Sequence, residues 1–296
     1  MDIKSSVALG VIRTLSLLNL PMARTLGTGL GRLMALTNSG MYKISLKNIE
    51  LCFPEMLPEL QRRLALESVQ ETCKTICEAG LAWAGTDEKF KRNADLIISV
   101  KNGHLYEEAV ASGKGVLLLS MHLGNWEWLT SYLPQRSDLM GLYKMAKMPG
   151  LEKAMLKARL SCGVKLVSGN REGVETFIQH YVDKKACIIV PDQEPSEKSG
   201  VWSEFFGVPT LTPKFIHSLI QKNPEGIALN NYMKRVPGGF EMVFEAVEPD
   251  IYSADLEVSA QAMNAGFEKC IRETPSQYQW EYKRFKKNKQ GFYKGL

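Results

Sequence analysis

Gly115-Val-Leu-Leu-Leu-Ser120, running on into Met121-His122-Leu123-Gly124-Asn125-Trp126-Glu127, is the stretch that sets the fold class. An uninterrupted apolar run of this length describes a strand covered on both faces, as in the interior of a largely parallel sheet. Polar and turn-forming residues follow at once, where α/β sheets carry their reactive loops. Leu96–Val100, Leu139–Tyr143, Val164–Val167 and Cys187–Val190 read as further short strands. Residues 58–83 place Leu60, Leu64, Cys73, Ile76 and Cys77 at helical spacing, and Val174, Phe177, Ile178 and Tyr181 mark another helix. A further helix over Gly103–Ala111 leads into the turn Ser112-Gly113-Lys114-Gly115. Ile227–Arg235 and Phe240–Val247 flank Val236-Pro237-Gly238-Gly239 as an antiparallel hairpin. The pattern predicts an α/β fold: a single domain over residues 38–296 with a central mixed sheet flanked by helices, preceded by a membrane-anchoring helical segment over residues 1–37.

That anchor rests on composition. From Ser5 to Thr37 the chain is apolar and small, with Arg13, Arg24 and Arg32 as its charges. No stretch reaches the ~18–20 uncharged residues of an unambiguous span, and Pro21 would kink a continuous helix. The expectation is one or two helices that enter or lie in the bilayer interface, their arginines reaching towards phosphate. Charge points the same way. Residues 1–50 hold six basic and two acidic side chains, residues 282–296 hold six basic and none acidic, and the 231 residues between total −5 within a net charge of +5. Basic ends around an acidic body suit an anionic membrane surface, whereas a nucleic-acid enzyme spreads its positive charge through the body. At 45% hydrophobic and 23% charged residues, a chain of 296 is neither disordered nor fibrous. Six cysteines in such a length are too few for a disulfide framework and read as buried, reduced thiols, and no secretory signal is legible.

Several chemistries drop out. Ser112-Gly113-Lys114-Gly115 lacks the first glycine and the hydroxyl residue of a phosphate-binding loop. No G-x-S-x-G elbow exists for a serine hydrolase. Gly27-Thr28-Gly29-Leu30-Gly31 follows no strand and reads as a helix-packing or membrane feature. The four histidines have no second ligand nearby in sequence, so neither a metal site nor a cofactor is expected. What remains is His122 and Glu127. On one continuous helix they would lie about 140° apart and could not meet. If Gly124 turns the chain and Asn125 caps a new helix, Glu127 falls in its first turn and can reach back to orient the imidazole, leaving His122 as a general base for a hydroxyl.

The segment His122-Leu-Gly-Asn-Trp-Glu127, directly after Gly113-Lys-Gly-Val-Leu-Leu-Leu119, resembles the signature of the bacterial late lipid A acyltransferases. Asp192-Gln193-Glu194-Pro195, Phe205-Phe206-Gly207-Val208-Pro209 and Gln277-Tyr278-Gln279-Trp280 leading to Lys283-Arg284-Phe285-Lys286 are similar to further blocks of that family, in its order. Tyr143-Lys144 stands where the family usually has Tyr-Arg-Pro, so Lys144 and Met145 depart from it, and Arg159 matches an arginine in the helix that follows. The resemblance implies transfer of a fatty acyl group from acyl carrier protein to the 3-hydroxyl of a hydroxyacyl chain on a lipid A precursor, at the cytoplasmic face of the inner membrane. It also implies His122 and Glu127 as catalytic residues, and Arg159, Lys144, Tyr143, Asp192, Gln193 and Asn125 as substrate-binding or oxyanion residues, with Asp192 and Gln193 orienting either active-site side chains or the substrate. Phe205 and Phe206 would pack under the site or line an acyl groove. An acyltransferase acting on another amphiphile, an aminolipid or a glycolipid, and a non-enzymatic membrane-surface protein with the same fold stay open.

Overall fold

The computed structural model describes residues 3–84, 86–145 and 148–296. A seven-stranded mixed sheet runs through the molecule in the order β1-β9-β8-β2-β5-β3-β4. Its strands are β1 (Ile97–Lys101), β2 (Val116–Gly124), β3 (Leu139–Tyr143), β4 (Lys165–Ser168), β5 (Ala186–Ile189), β8 (Ile227–Val236) and β9 (Gly239–Ala246). The predicted strands are all present. β2 lies at the centre, parallel to β5 on one side and to β8 on the other. The β8–β9 hairpin is antiparallel as expected, which makes the sheet mixed. Val116 to Leu119 are almost fully buried, as a strand covered on both faces must be.

Helices cover both faces: α1 (Ile3–Leu15), α2 (Leu20–Leu36), α3 (Gly40–Cys52), α4 (Pro58–Trp83), α5 (Asp87–Arg92), α6 (Gly103–Ala111), α7 (Leu129–Tyr132), α8 (Pro149–Ser161), α9 (Arg171–Val182), α10 (Phe215–Lys222) and α11 (Leu256–Glu273). Two apolar clusters form the core. One holds Leu117, Leu119, Phe177, Phe267 and Phe285, the other Val116, Leu118, Trp128, Phe240 and Phe244, so alternate residues of β2 serve opposite faces. All six cysteines are free thiols.

Two features lay outside the sequence reading. A separate antiparallel ribbon, β6 (Gly200–Phe205) and β7 (Val208–Pro213), turns through Phe206 and Gly207, both at positive φ. Its two phenylalanines are buried, with Phe206 against Phe53 and Trp280, so they pack in the core. The basic carboxy-terminal stretch is also no solvated tail. Arg284 is buried and donates to Thr210 Oγ1 and the Leu211 carbonyl, and Lys287 Nζ donates to the Pro195 carbonyl.

No helix among the described residues is long and apolar enough to cross a membrane. Instead α2 lies against α4, and its glycines explain how closely. A Cβ at Gly27 would stand 2.6 Å from Lys74 Cα, and one at Gly31 2.5 Å from Gln70 Cα, while Gly29 faces open space. Arg24 does not reach outward as expected. Its Nε donates to Glu78 at 2.8 Å, and Nη1 and Nη2 donate to the Val236 and Gly239 carbonyls at 2.7 Å each, gripping the turn of the β8–β9 hairpin. The opposite face of α2 leaves Met22, Leu26, Leu30, Leu33 and Leu36 exposed, and on α1 Val7 and Val11 are exposed as well. Replacing Gly27 by leucine should therefore cost about 1–3 kcal/mol through overpacking against backbone, whereas Gly29→Ala should leave the thermal midpoint unchanged or slightly higher. Paired melting curves in one detergent check this.

Candidate active site

The loop after β2 takes its shape from one glycine. Gly124 has φ +69°, and a Cβ there would lie 1.8 Å from the Met233 carbonyl oxygen. Only glycine fits this close approach to β8, and the Asn125 N–H donates to the same carbonyl at 2.8 Å. Asn125 then caps a short 3₁₀ turn over Trp126–Trp128, its side-chain oxygen accepting from the Glu127 N–H at 3.2 Å. The expected kink and cap are thus both present.

The partner of His122 differs from expectation. Its Nδ1 lies 2.7 Å from Asp192 Oδ1, and its backbone N–H donates to Asp192 Oδ2 at 2.9 Å. The reason is topological. β5 runs parallel beside β2, so a carboxylate three residues beyond the end of β5 arrives next to a histidine at the end of β2. Glu127 makes no hydrogen bond to His122. The 3₁₀ turn directs it between α4 and α8, where Trp83 Nε1 donates to Oε2 at 2.8 Å and Arg159 donates to both oxygens, Nη2 to Oε1 at 2.7 Å and Nε to Oε2 at 3.1 Å. A bidentate Arg–carboxylate pair with side chains 16% and 5% exposed is strongly held.

His122, Tyr143, Lys144, Arg159, Asn170 and Gln193 line one cavity of about 870 Å³, whose remaining wall includes Trp126, Leu142, Met145, Met155 and Ile189. Five of the site residues expected from the sequence therefore share one space. Asp192 lies behind His122, and Asn125, fully buried, points away to Glu78 Oε2 at 2.8 Å, so it is not a wall residue. Trp126 packs edge-on against the imidazole at 4.8 Å. From the far end of the chain, Gln279 donates its N–H to the His122 carbonyl at 3.0 Å, and Tyr278 bridges Leu123. Among the described residues no cluster of three or more histidine, cysteine or carboxylate side chains converges as a metal's ligands would.

Burial by itself would keep His122 neutral. The Asp192 charge and hydrogen bond, with added attraction from Glu281 and Glu127, outweigh it, so the imidazole holds its proton above the ordinary 6.5. Burial would raise Asp192 too, but His122, its two hydrogen bonds and Arg284 keep that carboxylate below its usual range. Since Asp192 occupies Nδ1, the neutral ring carries its hydrogen there and leaves Nε2 as the basic nitrogen.

A cavity with an oriented histidine and a cation on one apolar wall suits acyl transfer, and the comparisons with known proteins agree. The model of the bacterial lipid A biosynthesis acyltransferases matches residues 3–287. The chain belongs to this family. Relatives include a lipid A biosynthesis lauroyltransferase of Escherichia coli K12, 24% identical over 96% of this chain and 92% of its own length. A lipid A biosynthesis palmitoleoyltransferase of the same organism is 23% identical over 94% of this chain and 89% of its own. A lipid A biosynthesis acyltransferase of Haemophilus influenzae is 24% identical over 95% and 89%. Within an acyltransferase of this family, an Asp192→Asn substitution should lower the pH at which His122 gains its proton, because burial then acts against the charged ring with less opposition. Histidine-ring NMR titration, with His122 assigned by its absence in His122→Ala, reads this directly.

Proposed function

We propose that this protein transfers a fatty acyl group from the thioester of acyl carrier protein to the 3-hydroxyl of a hydroxyacyl chain on a lipid A precursor. The observation that carries the reading is the doubly bonded His122–Asp192 pair, set on the wall of a largely apolar cavity that also holds Arg159. His122 Nε2 takes the proton of the acceptor hydroxyl, and the oxygen attacks the thioester carbonyl carbon. Arg159 faces the negative charge that gathers on the carbonyl oxygen. As the C–S bond breaks, the imidazolium returns the proton to the departing sulfur, and an ester remains. No covalent acyl-enzyme forms, in keeping with a sequence that has no nucleophile elbow. Asp192 sets the tautomer of the base. Glu127 acts one step removed, holding Arg159 with two of its nitrogens and leaving Nη1 without a hydrogen bond among the described residues. Apolar side chains take the acyl chain, while Tyr143, Lys144 and Gln193 address polar parts of the substrates.

The reaction belongs at a membrane surface, because the acceptor is an amphiphile. The uncovered side of α1 and α2 supports this reading: Val7, Val11, Met22, Leu26, Leu33 and Leu36 are all exposed. Residues 1–37 would lie in the interface of the inner membrane with the catalytic cavity open to the cytoplasmic side.

His122→Ala should cost 10²–10⁴ in turnover of lipid A precursor with acyl carrier protein as donor, the usual worth of a general base. Glu127→Ala should cost a comparable factor, with Glu127→Gln milder. Near-wild-type turnover in well-folded His122→Ala overturns the mechanism. Mass spectrometry of lipid extracts from cells with and without the protein tests the acceptor, since a new acylated aminolipid or glycolipid in place of lipid A redirects the substrate. Attachment by apolar burial survives salt, whereas attachment by charge does not. Membrane pelleting should therefore persist in 1 M salt and fall when Leu26, Leu33 and Leu36 are replaced together by serine.

A further inference from the structure

The helix with the exposed apolar face is joined to the candidate catalytic loop by an unbroken series of buried polar contacts. Glu78, on α4, has no exposed side-chain surface and carries four charge-assisted hydrogen-bond donors. Arg24 of α2 donates to Oε1 at 2.8 Å. Arg235 of β8 donates through Nε at 3.0 and 3.1 Å, and its Nη2 stands 2.9 Å from Oε2. Asn125 Nδ2 donates to Oε2 at 2.8 Å. On its other side Asn125 accepts from the Glu127 N–H, and Glu127 holds Arg159 in the cavity wall. Arg24 has all three of its nitrogen groups committed, with its guanidinium 5.0 Å from the Phe240 ring.

We infer that Arg24 is a positioning residue for acyl transfer, acting through Glu78 and Asn125 on the turn that presents Glu127. The physical argument concerns an unbalanced charge. A carboxylate without exposed surface that loses one of two cations must shift towards the other or admit water, and breaking a buried pair is expensive. The Glu78 oxygens cannot swing towards Arg235 without loosening the Asn125 amide, and Asn125 is the cap of the turn. The helix that meets the membrane would then also set the geometry of the site.

The kinetic arm of the test rests on the acyl-transfer reading, while the exchange arm does not. Backbone hydrogen exchange is followed by mass spectrometry on the full-length protein in detergent for wild type, Arg24→Met and Arg24→Lys. Arg24→Met should speed exchange in residues 124–129 at least tenfold and leave β5 and α9 unchanged. Arg24→Lys, which keeps a cation beside Glu78, should show a smaller change, and it carries the test if the methionine variant does not accumulate. In turnover assays, Arg24→Met should lower kcat 10–100-fold with KM within threefold and with the membrane-bound fraction unchanged. In an Asn125→Ala background the same substitution should lower kcat less than threefold further, since both act on one turn. Arg63→Met, which breaks the exposed Arg63–Glu67 pair on α4, serves as control. Unchanged exchange in 124–129 overturns the inference, as does a full additional kcat loss in the Asn125→Ala background. Wild-type protein with no acyl transfer, together with faster exchange in Arg24→Met, sinks the function and keeps the coupling.

Discussion

Much of the molecule is arranged around one carboxylate removed from water. Glu78 retains its negative charge despite burial because Arg235 and Arg24, by charge and by hydrogen bond, pull its ionisation below the ordinary range. Such a group adds little net stability compared with an apolar core of the same size, yet it tolerates few alternative arrangements. α2, the β8–β9 hairpin and the loop after β2 each contribute a donor to it, through Arg24, Arg235 and Asn125, and α4, which carries it, also offers Glu71 and Thr75 as acceptors to the Arg235 guanidinium. The arrangement is costly to disturb and specific about which four elements meet.

The candidate site repeats this logic at smaller scale. Two carboxylates stand near one cavity, each committed to a different cation: Asp192 to the imidazole of His122 and Glu127 to the guanidinium of Arg159. The separation keeps the roles distinct. The histidine can change protonation state, whereas the arginine remains charged across any working pH. A proton acceptor and a fixed positive charge on one wall is a combination that suits the proposed direct acyl transfer.

How much of this was legible follows from which signals are local. The buried strand, the long α4 and the β8–β9 hairpin announce themselves through runs and spacings within a few residues, and the structure has all three. The kink at Gly124 and the cap at Asn125 were equally local and equally visible. The choice of carboxylate for His122 was not, because Glu127 is near in sequence while Asp192 is brought near by strand pairing across seventy positions. The β6–β7 ribbon carries no such local signal, since its turn puts Phe206 in a left-handed conformation where glycine or asparagine is the ordinary mark. Arg24 and Arg284 looked like surface charge because composition says nothing about a partner; only the fold supplies Glu78 for one and the Thr210 hydroxyl for the other.

The bond from Gln279 to the His122 carbonyl has a consequence for how the protein is made. The segment 278–285 closes over the end of β2 and buries Trp280, Arg284 and Phe285 against elements formed much earlier, including the Asn48 amide that donates to the Trp280 carbonyl. At ~5–20 residues per second of synthesis, that segment emerges roughly 8–30 s after His122. Throughout that interval α1 and α2 already present their apolar side chains, but the bond that ties the end of β2 to the carboxy-terminal segment has not formed. Under the proposed membrane attachment, docking of the amino-terminal helices would precede completion of the candidate site, and the nascent chain would be seated before that site was whole.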